Sequence, residues 1–264
     1  MGKILTLIIS ILAVTVIAWK TQAPEVLTVE DPRPVEAAIN SLEAKYGWQI
    51  NYEDPPYNDP KDLVDRTHPT YRGSHRAIDP KGGRVEIRYF VSVATGKPES
   101  STKLLEMIVD DHATRGNAGR FQVKTIAGLD SVIPTQGSIL DTPITLEDKQ
   151  RTFGETLREI LQSLTSVTGT RFLATTMSQP TFQRFSFSAE KEPATNVLLR
   201  LLSTRDDRQY RWHLLYAPRW GYFLNLRSQL KKKESPQMTP PKRQVQKEVT
   251  LPDGSKVIKL VDVK

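Results

Sequence analysis

The chain has 264 residues, 38% of them hydrophobic and 25% charged, with a formal net charge of +7. That is apolar material for one large domain or two small ones, which excludes a wholly disordered chain. No cysteine is present, which excludes a disulfide framework, a lipid-modified cysteine, a thiol nucleophile and thiolate metal sites.

Residues 1–23 read as an export signal or membrane anchor. Lys3 supplies a positive start, and an uncharged, Leu/Ile/Val-rich run follows from Ile4 to Trp19. The run is longer than most signal cores and short for a membrane span, which favours cleavage over retention. Cleavage after Val16-Ile17-Ala18 fits; cleavage after Thr21-Gln22-Ala23 is disfavoured by Pro24.

A first module is expected over 24–136. Residues 25–29, EVLTV, predict a strand. Asp31 and Pro34 predict a helix start. Val35, Ala38, Ile39, Leu42 and Tyr46 fall on one helical stripe, and Gly47 reads as its stop. Trp48, Ile50 and Tyr52 alternate as in a half-buried strand. Residues 54–83 have no period and many turn residues, which predicts a long surface loop. A strand with Val85, Ile87, Tyr89, Val91 and Val93 on one face comes next. A helix over about 98–115 turns Leu104, Leu105, Ile108 and Val109 inward. GRFQVKTIAG then reads as a closing strand.

A second module is expected over 137–228 in the same order. SILDTPITLED reads as strand and turn. A helix turns Leu157, Ile160, Leu161, Leu164 and Val167 inward and stops at Gly169. RFLAT and QRFSFSA read as strands, the latter with Phe185 and Phe187 on one face. Pro193 opens a helix bearing Val197, Leu198, Leu201 and Leu202. YRWHLLY and WGYFLNL alternate on either side of Ala217-Pro218-Arg219, as in a hairpin. The first helix of each module aligns at a constant shift of 122 residues (Val35 with Leu157, Gly47 with Gly169), and the second at 93. The order of elements and the glycine stops point to an internal duplication.

Residues 229–247 read as a basic, proline-rich linker, and 248–264 as a β-hairpin around Asp253-Gly254 that pairs with a sheet edge or a partner. Residues 229–264 hold nine Lys or Arg against four Asp or Glu, so the tail carries most of the +7.

The order strand, helix TLREILQSLTSVTG, strand TRFLAT, strand QRFSFSA, helix PATNVLLRLLS, strand YRWHLLY resembles the short N-terminal domain shared by secretins and TonB-dependent receptors. The resemblance covers 138–227 best and 25–133 more loosely. It implies two helices sandwiched by small sheets, a periplasmic location and a protein-binding role. Some members of that family relay a signal to an inner-membrane regulator, and others dock parts of a secretion or pilus machine. No receptor barrel or secretin pore domain is recognisable in this chain, so the expectation is an adaptor.

The fold class expected is α+β, with two helices in each module packed on two- and three-stranded sheets. Chemistry-bearing patterns are weak. His68, His75 and Asp65 share a loop, with a histidine spacing unsuited to zinc. Asp110-Asp111-His112 closes a helix with no nucleophile motif elsewhere. His213 reads as an exposed strand residue, and Glu155 with Glu159 as an exposed helical pair. Arg184 and Arg211 lie near aromatics, but the RNA-binding sheet signature is missing. No cofactor, metal or nucleic-acid partner is expected. The residues expected to contact an envelope protein are Tyr216, Trp220, Tyr222 and Phe223 of the hairpin, whose edge could accept a strand, and Lys231, Lys232 and Lys233. The alternatives are a hydrolase or metal-binding enzyme using the 54–83 loop, and a structural protein held to cell wall or membrane by its basic tail.

Overall fold

The computed structural model describes residues 23–67, 77–175, 183–205, 208–230, 244–250 and 256–262. Residues 1–22 of the expected export signal, His68, His75 and Lys231 to Lys233 lie outside the described residues. The class is α+β.

The first repeat runs β1 (Glu25–Asp31), α1 (Pro34–Tyr46), β2 (Ile50–Glu53), β3 (Leu63–Asp65), β4 (Ile78–Pro80), β5 (Gly83–Tyr89), α2 (Ser101–Thr114), β6 (Phe121–Ile126) and β7 (Leu129–Pro134). The second runs β8 (Pro143–Thr152), α3 (Phe153–Thr168), β9 (Phe172–Ala174), β10 (Arg184–Pro193), α4 (Ala194–Ser203), β11 (Arg208–Ala217) and β12 (Gly221–Leu230). Setting aside the small β3–β4 pair, both follow strand, helix, short strand, strand, helix, closing hairpin.

Local chemistry sets the helix ends. Pro34 occupies the first turn of α1, where a missing N–H is no loss. Thr152 and Glu155 form a reciprocal capping box at the start of α3. Gly47 and Gly169 end α1 and α3 in the left-handed region, at φ 69° and 70°. Their N–H groups return to the carbonyls of Glu43 and Thr165, which stand at the same position of the two repeats.

In each repeat the two helices pack between two layers. One layer is an antiparallel strand pair, β1 with β5 and β8 with β10. The other is a closing hairpin flanked by the short strand, which runs parallel to the hairpin's second strand: β2 with β7, and β9 with β12. Val35, Ala38, Ile39 and Leu42 of α1 meet Leu104, Leu105 and Ile108 of α2 in the first core. Leu157, Ile160, Leu161 and Leu164 of α3 meet Val197, Leu198 and Leu201 of α4 in the second.

The two three-stranded layers are continuous. They form a six-stranded sheet ordered β6-β7-β2-β11-β12-β9. The join is β2 of the first repeat against β11 of the second, in parallel. The repeats are therefore added head to tail, because β2 and β9 occupy the same place in their own triplets, as do β6 and β11.

Several expectations are corrected. The 54–83 segment is not a free surface loop. Asp54 and Tyr57 are buried at its start, and β3 and β4 pair antiparallel within it. Val93 and Val167 do not join the core stripes; they are 73% and 59% exposed. Val93 lies beyond the end of β5, and Val167 in the last turn of α3, where the packed neighbours run out. The 208–230 hairpin is no free edge, since β2 and β9 flank it on either side. The expected linker is strand at both ends, because β12 continues to Leu230 and β13 (Gln244–Thr250) begins inside it at Gln244. β13 pairs antiparallel with β14 (Lys256–Asp262), from Gln244 opposite Asp262 to Thr250 opposite Lys256. These two strands belong to a second compact unit, Asp206–Gln209 with Ser228–Lys264.

Candidate functional site

The join between the repeats holds the densest set of buried charges among the described residues. It begins at α1. Val35, Ala38, Ile39 and Leu42 face the core, so Glu36, Asn40 and Glu43 project from the flank of that stripe. A lone helix would leave them in water. Here β11 lies along that flank and brings Arg211 and His213, while β12 brings Arg227.

His213 is fully buried, contrary to its expected exposure. Its Nδ1 lies 3.2 Å from Glu36 Oε1 and its Nε2 3.9 Å from Glu43 Oε1. Arg211 Nε stands 2.6 Å from the same Glu43 oxygen. Arg227 donates to Asn40 Oδ1 at 2.6 Å and stands 3.5 Å from Glu43 Oε2. Glu43 also accepts the Ile50 N–H at 3.2 Å, which ties the helix to β2. The backbone takes part as well: Trp212 donates to the Asn51 side chain at 3.2 Å.

A second cluster centres on Asp54, which has no exposed surface. It accepts from Tyr52 Oη at 2.5 Å, Tyr57 Oη at 3.1 Å, Arg33 Nε at 2.7 Å and the Tyr216 N–H at 3.0 Å. Arg33 continues to the Tyr216 carbonyl at 2.8 Å. Burial works against the Arg33 charge, and Asp54 beside it more than restores it, so the guanidinium stays protonated. One carboxylate thus fastens the start of α1, the end of β2 and the end of β11.

Glu53 completes the seam. It accepts from Ser138 Oγ at 2.5 Å and the Ile139 N–H at 2.7 Å, and so anchors the connection between the repeats. Burial pushes its carboxyl up to about 7, against these two donors. For His213, burial pulls the pKa down, but Glu36 and Glu43 outweigh it and the net direction is up.

Both shifts have the same sign. The folded state binds protons more tightly than the unfolded chain at both groups. The Glu53 contribution is complete below about 4.5 and is lost as pH rises through about 7. The His213 contribution is complete below its ordinary value, about 6.5, and is lost as pH rises through its elevated folded value. Urea unfolding is therefore expected to show lower stability at pH 8.5 than at pH 5.5, with the lowered pKa of buried His112 opposing part of the difference. Glu53→Gln should shrink that difference by about 2 kcal/mol. An unchanged difference in Glu53→Gln would show that its carboxyl is ionised at ordinary pH.

The expected contact residues separate by depth. Trp220, at the hairpin turn, is 47% exposed beside Arg219. Tyr216 and Phe223 are half-buried. Tyr222 is a core residue, stacked on Phe172 with ring centres 5.3 Å apart. Asp65 accepts from Thr67 at the end of the β3–β4 pair. His112 is buried edge-on against Phe121, and burial lowers its pKa to about 4. Glu155 is taken up by the capping box and by Arg184 at 3.2 Å. No group of three or more metal-ligating residues converges among the described residues.

The second repeat carries an open counterpart of the seam. A groove of about 850 Å³ runs between α3 and β9, lined by Leu157, Arg158, Leu161, Gln162, Thr165 and residues 171–175 among others. A smaller concavity of about 540 Å³ is lined by Phe153, Phe185, Phe187 and Arg200, the guanidinium lying 4.7 Å from the Phe187 ring centre.

Family models, curated proteins and solved structures offer no match to this chain. The resemblance to the secretin and TonB-receptor domain accordingly rests on the order of elements.

Proposed function

We propose that the chain is an exported, non-enzymatic adaptor of the cell envelope that holds other proteins through its repeated module. The observation that carries this reading is the seam. The first repeat already grips another stretch of polypeptide through a strand edge and a charged helix flank, and the second repeat presents the corresponding edge and flank with different side chains. The seam's own carboxylates, Glu36, Glu53 and Asp54, are taken up in that grip by His213, by Ser138 with Ile139, and by Arg33. The charged start and apolar run of residues 1–19 support export, and the resemblance supports a periplasmic protein-binding role.

The test is crosslinking and gentle pull-down of the tagged full chain from its native envelope, beside cell fractionation. The expected result is one dominant envelope protein, recovered from a chain that fractionates outside the cytoplasm. Replacing the exposed Trp220 by Ala, a change that leaves the core intact, reads whether the hairpin tip takes part. Recovery of the chain in the cytoplasm, or of no stable partner from the envelope, would overturn the reading.

A further inference from the structure

We infer that the open edge of β9 and the adjoining flank of α3 form a docking site for an extended acidic strand of another protein, added parallel to β9 as β11 is added to β2. This rests on the adaptor reading above and names the chemistry of the partner.

The shift of 122 residues carries each gripping position of the first repeat onto the groove of the second. Glu36, Asn40 and Glu43 become Arg158, Gln162 and Thr165. Ile50 to Glu53 become Phe172 to Thr175. In the first repeat Ile50, Asn51, Tyr52 and Glu53 are all buried, with β11 paired against Tyr52 and Glu53. In the second, Ala174, Thr175, Arg158 and Gln162 are exposed.

Among the described strands, β9 ends the sheet and pairs with β12 alone. Tyr222 donates to the Arg171 carbonyl at 2.8 Å, and Thr175 donates to the Leu224 carbonyl at 3.2 Å. In a parallel ladder alternate residues turn to the same neighbour. Arg171, Leu173 and Thr175 therefore serve β12, and Phe172 and Ala174 turn the other way. The five consecutive residues 171–175 all line the groove, as they do when a strand presents its edge to it. The Phe172 N–H is held by Thr165 Oγ1 at 3.1 Å, just as the Ile50 N–H is held by Glu43 at 3.2 Å. Among the described residues the outward hydrogen-bonding groups of Ala174 meet no other strand, in the place where Tyr52 stands opposite His213.

The charges select the partner. The first repeat offers Glu36 and Glu43, and the strand it holds carries Arg211 and His213 two residues apart on one face. At the same positions the second repeat offers Arg158 and Thr165, with Arg171 beside them. The fitting strand has carboxylates where β11 has cations. A second copy of this chain would bring β6, the counterpart of β11, and its sequence FQVKTI holds a lysine and no carboxylate. That argues for a foreign strand over self-assembly.

The probe is a fluorescein-labelled peptide of residues 210–216 carrying Arg211→Glu and His213→Glu, with the unaltered 210–216 peptide as control. Anisotropy titrations with the full chain at low salt should show saturable binding of the acidic peptide, at least tenfold weaker for the control. Ala174→Pro removes an outward N–H and no β12 bond, so it should weaken binding at least tenfold with an unchanged melting temperature. Arg158→Glu, at an exposed site, should do the same and provides the test if the proline variant unfolds. Absence of saturable binding, or equal binding by wild type and both variants, would overturn the inference. Concentration-dependent assembly of the chain that Ala174→Pro abolishes would assign the edge to a second copy and also overturn it. An envelope partner still captured by Ala174→Pro would leave the adaptor reading standing and remove the edge from it.

Discussion

Asp54→Ala is expected to destabilise the protein by about 3–5 kcal/mol, the range for removing one partner of a buried ion pair. The large cost arises because four donors lose their acceptor together. Arg33 is left with a largely buried charge whose remaining side-chain hydrogen bond goes to the Tyr216 carbonyl, and the Tyr52 and Tyr57 hydroxyls and the Tyr216 N–H are left without their carboxylate. An unmade buried hydrogen bond costs about 1–3 kcal/mol, so Arg33 and the three neutral donors weigh on the same side. Asp54→Asn keeps the volume and one carbonyl, and should fall between wild type and Ala. Arg33→Met with Asp54→Asn should cost less than the two single changes summed, because the orphaned charge is gone. Urea unfolding followed by tryptophan fluorescence reads both repeats, through Trp48 in the first and Trp212 in the second. A loss below about 1 kcal/mol for Asp54→Ala would mean that water replaces the carboxylate at little cost, which its full burial argues against.

The interior of each repeat was legible in the sequence, and the join was not. Val35, Ala38, Ile39 and Leu42 declare their face by spacing alone, and Gly47 and Gly169 declare the helix ends because an L side chain is strained there. The 122-residue shift joined these into a duplication, and the strand-helix-strand order supported it. Glu36 and Glu43 gave no such signal. On a helix flank they look like ordinary solvated charges, and they become buried only because a strand some 170 residues later lies against them. The readable hint was on that strand. Arg211 and His213 share one face of an otherwise apolar run, and two cations on a strand that alternates with Trp212 and Leu214 require carboxylates opposite. Alternation with the buried Trp212 puts His213 on the other face of β11, and Glu36 and Glu43 of α1 cover that face. The buried start of the 54–83 segment was hidden for a similar reason. Asp54 and Tyr57 look like turn residues locally, and only the long-range contact with Arg33 and Tyr216 draws them in.

Gly221→Ala is expected to be the most damaging single-methyl addition among the glycines of the described residues, and to act on the sheet rather than the core. Gly221 has φ +83°, where an L residue is strained by about 1–3 kcal/mol. A Cβ there would also stand 2.1 Å from the Arg171 carbonyl oxygen, the acceptor of the Tyr222 N–H. That oxygen is backbone, so no rotamer change relieves the clash, and β12 must move away from β9. Gly169 is the internal control. It has nearly the same φ, 70°, but open space around the added carbon, so Gly169→Ala should cost only the conformational term, about 1–2 kcal/mol. Gly221→Ala should exceed it by about 2 kcal/mol or more, one lost pairing bond and its orphaned carbonyl together. Amide hydrogen exchange then separates the two. In Gly221→Ala the Tyr222 and Thr175 amides should lose protection while the α3 amides keep theirs, and in Gly169→Ala the loss should be confined to the end of α3. Because β9 is held in the sheet by β12 among the described strands, the same variant should also weaken the acidic-strand peptide without touching a residue that meets it. Equal costs for the two glycines, or unchanged protection at Tyr222 and Thr175, would show that the β9–β12 pairing yields without loss.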